Sequence, residues 1–230
     1  MTLLTVVLFV AFIGLGRWQW ERGVAKQQLW DQFAHAPVPE YATHPPNFDG
    51  LTRFERVAFA ARYEPGHQFL LDNRIFNGQP GYEVLTPAVL NDGRRILVNR
   101  GWVPFTGYRD RLPDVSMRAG TVATLSGRVD ELPAPGLASG RAAPDSGNQW
   151  PKVTAFPTHE ELQQALGEKI ARRILLLDPR IGGQEDGGYV RQWSPPGLAP
   201  ERHFSYAIQW WGFALVLLVL YFGLNSRKVS

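Results

Sequence analysis

The sequence predicts a membrane protein of the α+β class, with two transmembrane helices flanking a β-rich, mostly antiparallel extracytoplasmic domain. Two observations predict it. Apolar residues collect in one block at each end of the 230-residue chain, and the segments between them alternate like short strands joined by turns. From Phe204 to Gly223 there are 20 residues without Asp, Glu, Lys or Arg. As a helix at ~1.5 Å per residue this run reaches ~30 Å, the thickness of a bilayer core. From Leu3 to Gly16 the chain is also uncharged, and Trp18 and Trp20 extend that block into an aromatic belt.

The expected order is a first transmembrane helix over residues 1–20, then a helical extension and connector over 21–50. The β-rich domain follows over 51–200, the second transmembrane helix over 201–224, and a tail over 225–230. The first block lacks a basic leading region, and "LGRWQWERG" is a poor small-x-small cleavage site, so a retained anchor is expected rather than a signal peptide. Trp18, Arg22, Ala25, Lys26 and Leu29 continue it at helical spacing to near His35, before the proline-rich "HAPVPEYATHPPNFDG". "RFERVAFAARY", "HQFLLDNRIF", "GYEVLTPAVL" and "RRILVNRGWV" read as strands, the last two joined by the tight-turn sequence "NDG". "TVATLSGRVDE", "RRILLLD" and "GYVRQW" read as later strands, and "LPAPGLASGRAAPDSGN" as a loop without packing signal. "THEELQQALG" is a short helix with Thr158 as N-cap and Glu161 at the capping-box position. Arg227 and Lys228 favour a cytoplasmic C-terminus, hence a cytoplasmic N-terminus and an outside domain. Arg17, Arg22 and Lys26 oppose that count, although a long translocated domain tolerates such charges.

Composition excludes several functions. Without cysteine there are no disulfides, thiolate metal sites or thioether-linked haem. Met1 and Met117 are the only other soft ligands, which argues against a copper chaperone. The net charge of +3 is dispersed, with no basic stripe for nucleic acid. His35, His44, His67 and His159 lack metal-ligand spacing, and no nucleophile or phosphate-loop motif appears. Neither apolar block carries a charge at its centre, so no ion pathway is expected. No catalytic residue is assigned.

The chemistry concentrates at the membrane edge. His203, Tyr206, Ala207 and Trp210 lie on one helical face. The histidine is either a haem-iron ligand, with Tyr206 and Trp210 against the porphyrin edge, or an interfacial histidine in an aromatic belt. Gln209 lies just inside the lipid boundary, where polar groups usually meet a partner. Arg17, Arg22, Lys26 and Arg202 are expected near one membrane surface, where they either pair with haem propionates or snorkel to headgroups. In "LVNRGWVP", Arg100 and Trp102 are either structural or partner-binding. "DNR" at Asp72–Arg74 reads as an alternating strand in which the Asp or the Arg finds a pairing partner.

Three stretches carry a resemblance. "GRWQWERGVAK" fits G-x-W-Q-x-x-R-x-x-x-K, and "HFSYAIQWWGFAL" fits H-x-x-Y-A-x-Q-W. "LLDNRIFNGQPGYEVLTPAVLNDGRRILVNRGWVP" fits the central block of the same family. In order and over nearly the whole chain, they resemble the surfeit locus protein 1 family, assembly factors of haem–copper cytochrome c oxidase. The resemblance implies a non-catalytic chaperone that binds or stabilises haem a for insertion into oxidase subunit I. Its implied partners are subunit I, haem A synthase and other assembly factors. The alternative is a scaffold that holds a subunit I intermediate without binding haem. Carried over by motif, Gly16, Trp18, Gln19, Arg22 and Lys26 match the first stretch. Asn99, Arg100, Gly101, Trp102 and Pro104 match the central one, and His203, Tyr206, Ala207, Gln209 and Trp210 the last. The expected cofactor set is His203 as iron ligand with Tyr206, Trp210, Arg17, Arg22 and Arg202. The expected partner set is Trp18, Gln19, Lys26, Arg100, Trp102 and Gln209. The short N-terminus offers no transit peptide, so the expected location is a bacterial inner membrane with the domain in the periplasm.

Overall fold

A computed structural model describes residues 2–37, 46–117, 122–135, 140–180 and 189–226. Arg227 and Lys228, which carry the expected orientation, lie outside them, as do His44 and Gly188. The chain divides into two units, Met1–His35 with Ser194–Ser230, and Ala36–Trp193.

The second unit is built on one seven-stranded sheet. Its strands are β1 (Arg56–Tyr63), β2 (Phe69–Phe76), β3 (Gln79–Leu90), β4 (Arg95–Pro104), β5 (Val122–Asp130), β6 (Lys152–Thr154) and β7 (Ile174–Leu177). The order is β1-β5-β7-β4-β3-β2-β6, and β1 also pairs with β3. That extra pairing closes β1, β5, β7, β4 and β3 into a barrel-like ring, with β2 and β6 continuing outward from β3. Most pairings are antiparallel, but β2–β6 and β4–β7 are parallel. The "NDG" turn closes the β3–β4 hairpin as read: Leu90 N–H donates to Arg94 O at 2.8 Å, and Gly93 takes φ +85°.

The inner strands are buried on both faces, so their patterns are runs rather than alternations. In β7, Leu175 and Leu177 join Phe59, Val98 and Leu125 in one core. Ile174 and Leu176 join Phe69, Leu97 and Leu162 in another. The second core is covered by α2 (His159–Leu166), whose capping box forms as the sequence indicates: Glu161 N–H donates to Thr158 Oγ1, and Thr158 N–H donates to Glu161 Oε2.

Two strand readings are corrected. "GYVRQW" is not a strand among its described residues, since Val190 alone bridges to Trp102. Beyond it, side chains replace ladder bonds: Arg191 Nε donates to Arg100 O at 2.6 Å, and Trp193 Nε1 to Leu177 O at 2.8 Å. Conversely, Lys152–Thr154 forms β6, too short to show a period. Phe48, read as connector, is buried edge-on against Phe59 at 5.1 Å.

The first unit is a helix pair. α1 (Thr2–His35) is unbroken over 34 residues, and α3 (Pro200–Ser226) runs 27. Both contain stretches long and apolar enough to cross a membrane. Their contacts run in reverse order, so the helices are antiparallel: Thr2 meets Tyr221, Phe12 meets Trp210, and Trp20 meets Phe204. The seam is made by small residues seven apart. Gly16 and Gly23 are buried on α1, Ala207 and Ala214 on α3. A Cβ at Gly16 would lie 2.3 Å from Trp211 Nε1, and one at Gly23 would lie 2.6 Å from Phe204 Cε1. Lipid supplies no hydrophobic drive between helices, so this close approach is a main source of their association.

Adding bulk should therefore part the helices. The double change Gly16→Val, Gly23→Val is expected to cost about 1–3 kcal/mol of overpacking per site. Spin labels on the two helices would read the separation. Unchanged distances would show that Trp211 and Phe204 simply rotate aside.

Candidate functional site

The site lies where both helices pass from apolar to charged sequence. On α1 the change falls after Gly16, and on α3 before Phe204. At that level His203 Nδ1 lies 2.9 Å from Gln19 Oε1, with both side chains part-buried. Gln19 was expected on a partner; its partner is within the chain.

Helix geometry explains the rest. At ~100° per residue, Ala207, Trp210 and Ala214 share the inward face with His203. Trp210 stacks on Phe12 with centroids 5.7 Å apart. The two flanks of the seam differ. On one, Trp20 packs on Phe204 at 4.8 Å and on Trp211 at 5.8 Å. The same rotation places Tyr206 and Arg202 of α3 and Trp18 and Arg22 of α1 on the opposite flank. All four are exposed there, with Arg22 Cζ 6.0 Å from the Trp18 ring centroid. Gln209 lies further round that flank, also exposed.

Two expected members stand elsewhere. Arg17 is about 160° round α1 from Gln19, on the face away from α3, and pairs with Glu21 at 2.8 Å. The structure does not bring it to the flank that carries Arg22 and Arg202. Lys26 faces α3 but is engaged within the chain: its Nζ donates to Pro196 O at 2.9 Å. This holds the turn at Gly197 (φ +91°) just before α3 begins at Pro200.

Arg100 and Trp102 belong to the other unit, on β4. Arg100 is fully buried, donates from Nη1 to Val115 O at 3.1 Å, and lies with Cζ 4.6 Å from the Tyr189 ring centroid. A side chain without accessible surface offers nothing for a partner to touch, so the partner assignment of Arg100 is corrected to a structural one. Trp102 is nearly buried; its Nε1 donates to Arg74 O at 3.1 Å, and its ring fills the space over Gly81. Arg74 Nε stands 3.8 Å from Glu83, whose other oxygen accepts from Asn99 Nδ2 at 2.7 Å. Asp72 pairs with Arg109, so both ends of "DNR" find the charged partners expected of them.

Sequence reasoning passed over Phe12, Phe204 and Trp211. Their signal was the spacing of seven shared by the glycine pair and the alanine pair.

The SURF1 family model matches residues 6–215, from the first helix through the domain into the last. The chain belongs to the SURF1 family. Members of the family are known as assembly factors of cytochrome c oxidase. An uncharacterised SURF1-like protein of Mycobacterium bovis is 27% identical over 223 residues, covering 93% of this chain and 78% of its own. A Mycobacterium tuberculosis counterpart gives the same figures. A SURF1-like protein of Dictyostelium discoideum is 33% identical over 115 residues, 44% of this chain and 42% of its own length.

Removing the Lys26 tether should loosen the start of α3. A charge-assisted hydrogen bond contributes about 1.5–3 kcal/mol, so Lys26→Met should raise amide exchange at Leu198, Ala199 and Arg202 by about 10-fold or more. Exchange at wild-type rates would show the tether to be dispensable.

Proposed function

We propose that this protein assists the assembly of haem–copper cytochrome c oxidase by holding haem a at the membrane edge, with His203 as iron ligand, for insertion into subunit I. One observation carries the reading. A part-buried histidine stands at the apolar–charged boundary beside an open flank that bears two aromatic side chains and two guanidinium groups. That donor set fits a haem: imidazole for iron, Tyr206 and Trp18 with Trp210 for the apolar edge, and Arg22 and Arg202 for the propionates. When bound, the haem is cargo, and its redox chemistry belongs to the oxidase that receives it. This chain's residues orient, shield and release it. The reading places the protein in a bacterial inner membrane, the domain in the periplasm and both termini in the cytoplasm. Its partners are then subunit I, haem A synthase and other assembly factors.

Gln209 favours a second reading. An exposed carboxamide on a membrane helix suits a hydrogen bond to another protein's helix. The chain would then be a scaffold for a subunit I intermediate without holding haem.

Spectra separate the two. The chain, co-expressed with haem A-synthesising enzymes and purified in mild detergent, should show a reduced-minus-oxidised haem a band that His203→Ala loses or shifts. A retained, unshifted band in the variant would sink the ligand assignment. Well-folded wild type without haem would favour the scaffold.

A further inference from the structure

We infer that Gln19 is a positioning residue: it fixes the tautomer and ring plane of His203, so that Nε2 stands as an oriented lone pair. The inference rests on the reading of His203 as an iron ligand and deepens it. A neutral imidazole carries one proton on either nitrogen, and the hydrogen bond at one nitrogen decides what the other can do. Gln19 presents Oε1 to Nδ1 at 2.9 Å. With the carboxamide in this orientation its oxygen only accepts, so Nδ1 keeps the proton and donates it. Nε2 is then left basic, in the state that binds metal.

The backbone makes this bond a fixed one. Gly16 lies three residues before Gln19 and Gly23 four after, and both press against α3, at Trp211 and Phe204. These two contacts bracket Gln19 and set its distance to His203. Both side chains are part-buried, so a Gln19 swung away would give up a bond made in a partly desolvated seam.

The choice of residue also has a chemical consequence. Ligating histidines commonly donate to a carboxylate or a carbonyl, which orients the ring and raises its basicity. A carboxylate draws the Nδ1 proton more strongly and strengthens the ligand. The neutral carboxamide gives orientation with a weaker push. That suits a protein whose cargo must leave.

The test begins without haem. The full chain, labelled with 15N-histidine, is placed in detergent micelles, and His203 is assigned by its loss in His203→Ala. Expected is a protonated, pyrrole-type Nδ1 and a pyridine-type Nε2, and Gln19→Leu should move the ring toward the opposite tautomer. A wild-type ring protonated at Nε2 overturns the inference whatever the variant does. The second measurement uses chain loaded with haem A. Gln19→Leu should weaken retention by about 10–100-fold, while Gln19→Glu should hold haem at least as tightly as wild type and lower its reduction potential. Haem bound through His203 with affinity and potential indifferent to both Gln19 changes overturns the inference and leaves the ligand reading standing. The expected tautomer in a chain that takes up no haem sinks the ligand reading while the Gln19–His203 bond stands.

Discussion

The close approach of α1 and α3 at Gly16 and Gly23 is the constraint on which the membrane part of this protein depends. In water, two apolar helices associate because water excludes them. In lipid that drive is absent, and association has to come from packing and polar contacts. A Cβ at either position would come within 2.3 or 2.6 Å of an aromatic ring, far inside van der Waals contact. Spaced seven apart, the glycines return to the same side of α1 after two turns. Ala207 and Ala214 do the same on α3, so the helices touch repeatedly along one line. Gln19 lies between the glycine contacts, and His203 is the residue it meets. The hydrogen bond is thus a consequence of backbone distance.

The domain solves a different problem. Closing five strands into a ring leaves β4 and β7 without an exposed face, and the stretch Ile96–Val103 is almost wholly buried. The family-resembling block "LVNRGWVP" therefore sits where folding constrains every residue. Gly101 holds φ +125°, and a Cβ there would come within 2.8 Å of Val190 O. Arg100 and Trp102 sit on either side of that bend, one against Tyr189 and one over Gly81. A motif of arginine, glycine and tryptophan looks like a recognition surface when read as letters. Here it is the inside of a barrel corner.

What was legible in the sequence follows from the range of each interaction. The membrane helices, the β3–β4 hairpin and the capped helix α2 rest on local pattern: an uncharged run, a Gly at a tight turn, and Thr158 three residues before Glu161. β6 and the bridge at Val190 rest on pairing with residues far off in the chain, and too few residues are involved to show a period. At the site the same line divides the residues. His203, Ala207 and Trp210 share a face by spacing alone. That Gln19 would be the partner of His203, 184 residues away, depends on the register of the two helices. The register is set by the two glycines, whose meaning is clear only once Trp211 and Phe204 are found against them. Arg17 was grouped with the other cations by expected level at one membrane surface, and level alone does not fix the face, since a helix turns successive residues by ~100°.

The unequal flanks of the seam have a common cause with its tightness. Gly16 and Gly23 lie slightly to one side of the line through Gln19, by about 60° and 40° of helix rotation. Trp211 and Phe204 lean over that side, where Gly16 and Gly23 leave the backbone of α1 bare. Trp20 then packs on both rings and completes the cover. Within this helix pair, and among the described residues, Tyr206, Trp18, Arg22 and Arg202 on the other side remain exposed. The rings that lock the helices together thereby also make the seam asymmetric about the Gln19–His203 bond, aromatic on one flank and bearing both guanidinium groups on the other.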